Sequence, residues 1–287
     1  MPINPKAPHF ANWPQGVPQE LPPVRETIWQ QLQRQAEQQP DAIGLNFLGS
    51  NWTWTQLRDD ALAMAGALQK LGVSKGDRVI LFTQNSPQYI MGFHAVMVCG
   101  GVVVPINPMN KAEELPHYIR DSGAKVAIAA CDIADELAQA TGRMNDGLQH
   151  LIVCDWVDVL PADAQARDAV VPELWRDWLY TVPPRPEAAG LSVHTWTALL
   201  NQRLSPQAVD VAVDDMALLP YTSGTTGLSK GCMHTQATLG HNTAACRAWA
   251  ETGPSDATLV VVPMFHITGL VVCMLATISA GARIVLL

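Results

Sequence analysis

Apolar residues recur along the chain in two patterns, as short continuous runs and as longer stretches with helical spacing. Helical spacing is clear where Ile28, Leu32 and Ala36 recur at four-residue intervals. Thr27 and Gln30 have the spacing of a capping box at the start of this stretch. Continuous apolar runs predict strands at 79–83, 102–106, 125–130, 151–154, 216–220, 258–263 and 282–287. Because helical stretches separate most of these runs, the pattern predicts a mostly parallel sheet that is buried on both faces.

Turn-forming residues mark the first elements of the chain. The turn at 49–51 lies between an apolar run at 42–47 and the alternating residues 52–54, which predicts a β-hairpin. A strongly periodic stretch follows the hairpin, and we expect Thr55 to cap this helix and Gly72 to end it.

Prolines constrain three further segments. Residues 1–23 are rich in proline and have no continuous apolar stretch, so they are expected to form an extended arm rather than a signal peptide. Ser86 and Pro87 have the order expected of an N-cap followed by the first helical residue. Pro116 is compatible with the helix predicted over 113–121 only in its first turn, because in the interior it costs about 3 kcal/mol.

A shift in composition divides the chain. Residues 24–154 are expected to form a first α/β subdomain, whereas acidic residues and prolines indicate that 155–212 is a solvated connecting excursion. Its tryptophans, Trp156, Trp175 and Trp178, either line a binding surface or anchor the excursion to the domain. Residues 213–287 hold a glycine-rich loop and the start of a further α/β unit. The last apolar run reaches the final residue, so we expect this unit to be truncated and the chain to be the N-terminal part of a longer protein.

Composition and charge narrow the function classes. Hydrophobic residues make up 48% of the 287 residues and charged residues 15%, which favours a well-packed core over disorder. The net charge of −8 has the wrong sign for a protein that coats phosphate backbones, so we expect no nucleic-acid partner. Six scattered cysteines without metal-ligand spacing indicate reduced core residues and a cytoplasmic location. Uncharged windows at 79–110 and 257–282 are interrupted by polar residues, glycine and proline, so no transmembrane span is expected.

The segment 221–231, YTSGTTGLSKG, has the composition of a phosphate cradle. Three glycines allow backbone N–H groups to converge on an anion, five Ser and Thr hydroxyls add hydrogen-bond donors, and Lys230 adds a charge. The segment matches neither the Walker A pattern nor the dinucleotide pattern G-x-G-x-x-G. Its GTTG matches the GXXG of a KH domain, but the acidic, apolar context disfavours RNA binding. By composition alone, a flexible linker and a phosphate-binding loop both remain open.

The order of residues in this loop resembles the signature loop of the adenylate-forming (AMP-binding) superfamily, in its acyl-CoA synthetase or fatty acid–CoA ligase branch. The resemblance extends over most of the chain. Further matching segments, in the order in which the family has them, are WTWTQL (52–57), GDRV (76–79), Asn85, GGVVVPINP (100–108), DSGAK (121–125) and VVPMFHITGL (261–270).

The resemblance implies the doubly wound, mostly parallel sheets of the large N-terminal domain of such an enzyme, incomplete at the C-terminus. It also implies a two-step reaction in which ATP activates a carboxylic acid, expected to be a fatty acid, as an acyl-adenylate and CoA then forms a thioester. The residues implied in contact with the ATP phosphates are Thr222, Ser223, Gly224, Thr225, Thr226, Gly227 and Lys230. Thr225 and Thr226 are the implied contacts of Mg2+, and Phe265, His266 and Gly269 are implied to lie beside the acyl-adenylate.

Several parts of the family's site are expected downstream of Leu287: the adenine-contacting segment, the ribose-binding aspartate, the acidic Mg2+ ligand and the main catalytic lysine. No catalytic residue is therefore assigned here, and these 287 residues alone are expected not to catalyse. Two other functions stay open, a non-catalytic nucleotide- or acyl-binding module and an aryl or amino-acid adenylating relative; a homo-oligomer is compatible with each. His94 lies among apolar residues of a predicted helix and is expected in the core.

Overall fold

The structure, a computed structural model, describes residues 8–222 and 227–287. Its α-helices are α1 (Ile28–Gln38), α2 (Trp54–Lys70), α3 (Pro87–Val98), α4 (Leu115–Ser122), α5 (Ala134–Gly142), α6 (Ala164–Val170), α7 (Glu173–Tyr180), α8 (Trp196–Leu200), α9 (Gln236–Ala250) and α10 (Ala276–Ala280). Its strands are β1 (Ile43–Phe47), β2 (Ser50–Thr53), β3 (Arg78–Phe82), β4 (Val102–Pro105), β5 (Val126–Ala130), β6 (His150–Cys154), β7 (Ser192–Thr195), β8 (Met216–Leu218), β9 (Tyr221–Thr222), β10 (Lys230–Gly231), β11 (His234–Thr235), β12 (Ala257–Val260) and β13 (Arg283–Leu286). Short 3-10 helices cover Pro8–Asn12 and Trp156–Val159, and a π-helix covers Gly269–Leu275.

The larger sheet has seven strands in the order β11-β8-β4-β3-β5-β6-β7. All neighbours in it run parallel except β11, which pairs antiparallel with β8. The central strands β3, β4 and β5 are almost completely buried, as their continuous apolar sequences require. The predicted mostly parallel α/β fold is therefore confirmed.

A second sheet of four strands has the order β12-β13-β1-β2. The predicted hairpin forms its β1–β2 edge, and β13 pairs parallel with β1 on one side and with β12 on the other. The N-terminal hairpin thus shares a sheet with the last strands of the chain. Strands β1, β12 and β13 run in the same direction, so their carboxyl ends lie at one edge.

Helix α2 begins two residues earlier than the sequence pattern predicts. Its N-cap is Thr53, not Thr55: the Thr53 hydroxyl accepts a hydrogen bond from the backbone N–H of Gln56, and the Gln56 side chain accepts one from the backbone N–H of Thr53. The reciprocal pair needs an acceptor three residues after the cap. Thr55 would have Arg58 at that position, and a guanidinium has no acceptor.

The prediction for Pro116 is confirmed. Helix α4 begins at Leu115, so Pro116 lies in the first turn, where the missing N–H group has no partner to lose.

The range 155–212, expected as a solvated connection, contains regular structure. Helices α6 and α7 come first, and β7 then adds an edge strand parallel to β6, followed by α8. Trp196 of α8 is buried, so this part of the range belongs to the packed domain. The strand is short and only partly buried, and for that reason its sequence, SVHT, has no continuous apolar run.

His94 lies in the core, as expected. Its Nδ1–H group donates to the backbone oxygen of Ile90 at 2.8 Å, and burial lowers its pKa to about 4. The six cysteines are free. No helix within 8–222 and 227–287 has both the length and the apolar composition that a membrane crossing requires.

Candidate functional site

The two sheets point the carboxyl ends of several strands at one cavity of about 420 Å3. Residues within a few positions after the ends of β1, β3, β4, β6 and β12 contribute to its wall. The lining residues are Phe47, Leu48, Gln84, Asn85, Asn107, Pro108, Met109, Trp156, Trp175, Trp178, Leu179, Pro263, Phe265 and Leu287. In open α/β sheets, ligands bind in the crevice outside the carboxyl ends of the strands, so this edge is the candidate ligand site.

Asp132 holds one wall of the cavity in place. Its carboxylate accepts hydrogen bonds from the indole N–H groups of Trp156 (3.1 Å) and Trp178 (3.0 Å), and from the side-chain amide of Gln84 (3.0 Å). These bonds tie helix α7 to the ends of β3, β5 and β6. Trp156 and Trp178 therefore anchor the segment after β6, and they also line the cavity.

The glycine-rich loop begins and ends in a two-stranded ribbon. Strands β9 and β10 pair antiparallel, with Lys230 opposite Thr222 and Gly231 opposite Tyr221. The tip of the loop, Ser223, Gly224, Thr225 and Thr226, lies outside the described residues. The ribbon follows β8 of the larger sheet and so begins beyond the carboxyl end of a parallel strand.

The described part of the loop is open to an approaching anion. Thr222, Gly227 and Lys230 are exposed, and a Cβ atom added at Gly227 would meet no atom within 4 Å. Free access and a nearby ammonium group are what a phosphate-binding loop requires.

Helix α4 holds both strands of this ribbon. The Tyr221 hydroxyl donates to the Asp121 carboxylate at 2.6 Å, and His117 donates from Nε2 to the backbone oxygen of Ser229 at 2.7 Å. The Tyr221 ring also packs edge-on against Tyr118, with ring centroids 4.9 Å apart. Burial raises the pKa of Tyr221, and its bond to Asp121 raises it further, so the phenol stays a donor.

The sequence pattern alone does not predict these supporting residues. The available signal was that Asp121 and Tyr221 belong to two separate segments that match the same family, DSGAK and YTSGTTGLSKG. In the structure, the two segments are in direct contact.

The second predicted segment follows β12 and carries an exposed histidine. The backbone N–H of Thr268 donates to Nδ1 of His266 at 3.2 Å. In the neutral ring, the proton therefore resides on Nε2. An imidazole held in this form presents a hydrogen-bond donor to a carboxylate or carbonyl oxygen.

Gly269 has a packing role. A Cβ atom at this position would lie 2.6 Å from the carbonyl carbon of Pro263 and 2.7 Å from the backbone oxygen of Val262. Only glycine allows the start of the π-helix to approach the 262–263 backbone this closely. Short π-helical segments are frequent at functional sites.

The predicted site residues fall into two groups within the described part of the chain. Phe265 lines the cavity, whereas Thr222, Gly227, Lys230, His266 and Gly269 do not. Within the same part, no group of three His, Cys, Asp or Glu side chains could hold a metal ion. The implied Mg2+ contacts, Thr225 and Thr226, are in the tip of the loop and outside the described residues.

Parallel α/β layers with a glycine-rich loop at a strand end define a class of nucleotide-binding protein. Comparison with known proteins gives the family. The profile of the AMP-binding enzyme family matches residues 32–287, and the chain belongs to this family.

Its relatives include CoA ligases of different acids. The chain is 30% identical to a long-chain-fatty-acid CoA ligase of Bacillus subtilis (strain 168) over 98% of its own length and 49% of that protein. It is 28% identical to a feruloyl-CoA synthase of an Amycolatopsis species over 88% of its length and 42% of that protein. Among solved structures, the anthranilate CoA ligase AuaEII in complex with anthranoyl-AMP superposes with a TM-score of 0.74 at 22% identity, covering 93% of this chain and 46% of that one. The chain thus spans about half the length of the curated relatives it matches.

Proposed function

We propose that this chain is the part of an ATP-dependent acyl-CoA synthetase that holds the ATP phosphates and the acid. An oxygen of the substrate carboxylate attacks the α-phosphorus of ATP, and the bond to pyrophosphate breaks, which gives an acyl-adenylate. The thiol of CoA then attacks the acyl carbon, loses its proton and releases AMP. Both steps are assigned to the full-length protein that contains this chain.

The observation that carries the proposal is the position of the β9–β10 ribbon after the carboxyl end of β8, with Lys230 opposite Thr222. Negative charge builds up on the departing pyrophosphate during the first step. An ammonium group and loop donors that are already in place stabilise this charge without having to reorganise. We assign this role to Lys230 and to the loop residues Thr222 to Gly227.

Mg2+ supplies further charge neutralisation in this type of chemistry. The described residues do not form an acidic site for it. Contacts of Mg2+ with Thr225 and Thr226 stay a prediction, and no step is derived from them.

His266 is proposed to orient the acid. Its exposed ring, with Nδ1 occupied by the Thr268 N–H group, leaves the Nε2–H group for one oxygen of the carboxylate. Phe265, the preceding residue, lines the apolar cavity. A carboxylate at His266 with its tail toward Phe265 favours an acid with an apolar tail, and a fatty acid is our proposed substrate class.

The test is ATP–pyrophosphate exchange by the full-length protein. We expect exchange that requires ATP and a carboxylic acid, with higher kcat/KM for aliphatic acids of medium or long chain than for acetate, benzoate or amino acids. Thioester formation upon addition of CoA, followed by mass spectrometry, tests the second step. Exchange that no acid in this panel stimulates would contradict the proposal, and a preference for aryl or amino acids would contradict the substrate class alone.

A further inference from the structure

Both backbone hydrogen-bonding groups of Met264 are held by side chains that follow a strand of the other sheet. Its N–H group donates to Oδ1 of Asn85 at 2.8 Å, and its carbonyl oxygen accepts from the Tyr89 hydroxyl at 2.8 Å. Met264 lies two residues before His266. We propose that Asn85 and Tyr89 are positioning residues that set the location of His266 for activation of the acid, an inference that rests on the proposed function.

Asn85 makes more than one contact with this segment. Besides accepting from Met264, its amide nitrogen donates to the backbone oxygens of Val260 (3.2 Å) and Val262 (3.1 Å). The Asn85 side chain thus bonds to backbone groups of three residues at and beyond the end of β12: its oxygen accepts one hydrogen bond, and its amide nitrogen donates two. No other type of side chain of this size offers both an acceptor and two N–H donors.

Tyr89 contributes a buried and uncharged donor. Its side chain is completely buried in α3, and burial raises the pKa of its hydroxyl, which keeps the proton on the oxygen. A buried hydrogen bond of this kind is costly to leave unmade, because the Met264 carbonyl would lose its partner.

These contacts join the two sheets at their functional edges. Asn85 and Tyr89 follow β3 of the seven-stranded sheet, whereas Met264 and His266 follow β12 of the four-stranded sheet. The backbone then turns, since the N–H group of His266 donates to the Pro263 oxygen at 3.1 Å. The location of the imidazole is therefore set relative to the larger sheet, from which the loop with Lys230 projects.

The consequence for catalysis is geometric. An acid held at His266 must meet the α-phosphorus of a nucleotide held near Lys230, and these two residues follow strands of different sheets. A misplacement of about 1 Å between reacting groups costs on the order of 100-fold in rate. Through their hydrogen bonds to Met264, Asn85 and Tyr89 fix His266 relative to the larger sheet and so limit such a misplacement.

The test uses Asn85→Asp and Tyr89→Phe in the full-length protein, with exchange measured as a function of acid and of ATP. Asn85→Asp keeps the size and one acceptor oxygen but loses both donors. We expect its kcat to fall on the order of 100-fold and its KM for the acid to rise, with KM for ATP unchanged. Tyr89→Phe removes one hydrogen bond and is expected to lower kcat/KM for the acid about 2- to 10-fold.

A pH profile separates positioning from a general loss of structure. The carboxyl group that Asn85→Asp introduces gains an O–H donor when it is protonated, so the activity of this variant relative to wild type should rise as the pH is lowered. Asn242→Asp and Tyr180→Phe are matched controls, because among the described residues Asn242 donates only to Thr238 within α9 and Tyr180 only to Asp168. Both controls should retain wild-type kinetics, and thermal melting of each variant reports the folded fraction.

The outcomes are distinct. Absence of acid-dependent exchange in the wild type overturns the proposed function and this inference with it. If the wild type is active, wild-type kinetics of Asn85→Asp overturn the positioning role alone. A lower kcat with both KM values and the pH profile unchanged also overturns it, because that result reports only a smaller active fraction.

Discussion

Lys230 lies directly across the β9–β10 ribbon from Thr222, so two residues implied in phosphate binding start from adjacent backbone positions. The pairing closes the loop at its base. Helix α4 supports both strands, through Tyr221 on one side and Ser229 on the other. A short, doubly supported ribbon is a suitable base for preorganised donors.

Replacement of Lys230 by alanine should reduce acid-dependent ATP–pyrophosphate exchange by about 100- to 1000-fold, the range for loss of one preorganised charge-stabilising group. Lys230 is exposed, so the melting temperature should stay the same. Lys70→Ala serves as the control, because Lys70 donates to Gln202 on the surface, away from the loop. If Lys230→Ala exchanges ATP and pyrophosphate at the wild-type rate, Lys230 does not stabilise the departing pyrophosphate.

Tyr221→Phe should weaken the support of the loop. Loss of this hydrogen bond to a charged carboxylate, that of Asp121, costs about 1.5–3 kcal/mol, and we expect KM for ATP to rise by about 10-fold or more with KM for the acid unchanged. Tyr180→Phe removes an equivalent Tyr–Asp bond at Asp168 and should leave both constants unchanged. An equal effect of the two substitutions on KM for ATP would argue against this role of Tyr221.

Gly269→Ala should displace the π-helix from the backbone of Pro263. The added Cβ has no space beside the 262–263 carbonyl groups, so we expect a loss of about 1–3 kcal/mol in the free energy of unfolding. Gly142→Ala is the matched control: Gly142 ends α5, and within the described part of the chain its added Cβ would contact only Ala188, at 3.8 Å. Urea denaturation of the two variants makes the comparison, and equal stabilities would show that the close approach at Gly269 is not needed.

Trp178→Ala should reduce the preference for acids with long apolar tails. Trp178 lines the cavity and is held by Asp132, and loss of part of an apolar wall lowers discrimination by about 10-fold or more. We expect the ratio of kcat/KM for a long-chain acid to that for a short-chain acid to fall. Trp249→Ala, at a tryptophan that contacts Trp13 and does not line the cavity, should leave the ratio unchanged. An unchanged ratio in Trp178→Ala would show that the tail of the acid does not bind against Trp178.

His94 should make the fold sensitive to mild acid. Its pKa is about 4 in the folded protein and 6.5 as the ordinary value, so the unfolded chain binds the proton first and stability falls as pH drops from about 7 toward 4. Nε2 of His94 has no hydrogen-bond partner among the described residues, and a proton there would be a charge in the core. Between pH 7.5 and 5.5, this group should cost about 1 kcal/mol.

The measurement is urea denaturation at both pH values for the wild type and for His94→Asn, whose amide can still donate to Ile90. The variant should lose less stability between the two pH values by about that amount. Equal losses in the two proteins would contradict the buried neutral histidine.

Local signals predicted much of the fold. The capping box at Thr27, the Ser86–Pro87 helix start and the apolar runs all correspond to elements of the structure, because each depends on residues within a few positions. The predicted start of α2 was wrong because the choice between Thr53 and Thr55 depends on which one has an acceptor at the third following position. Strand β7 was missed because an edge strand is recognised by its pairing with β6 rather than by apolar residues.

The candidate site was less predictable than the fold. The loop was located by its sequence, but its support by His117 and Asp121 depends on contacts between residues about a hundred positions apart. Asn85 was noted only as part of a matching segment, and its contact with Met264 spans 179 positions. Sequence spacing alone carries no information on such pairs, since they form only when distant parts of the chain pack together.

Asp132, which fixes the tryptophan wall, follows β5, whereas the ribbon with Lys230 follows β8, and β3 and β4 lie between these strands in the sheet. Changes in α7, which brings Trp175 and Trp178 to the cavity, therefore leave the pairing at the base of the glycine-rich loop intact. Substitutions in α7 could therefore change which acid is bound during evolution, while the residues proposed to bind ATP stay the same.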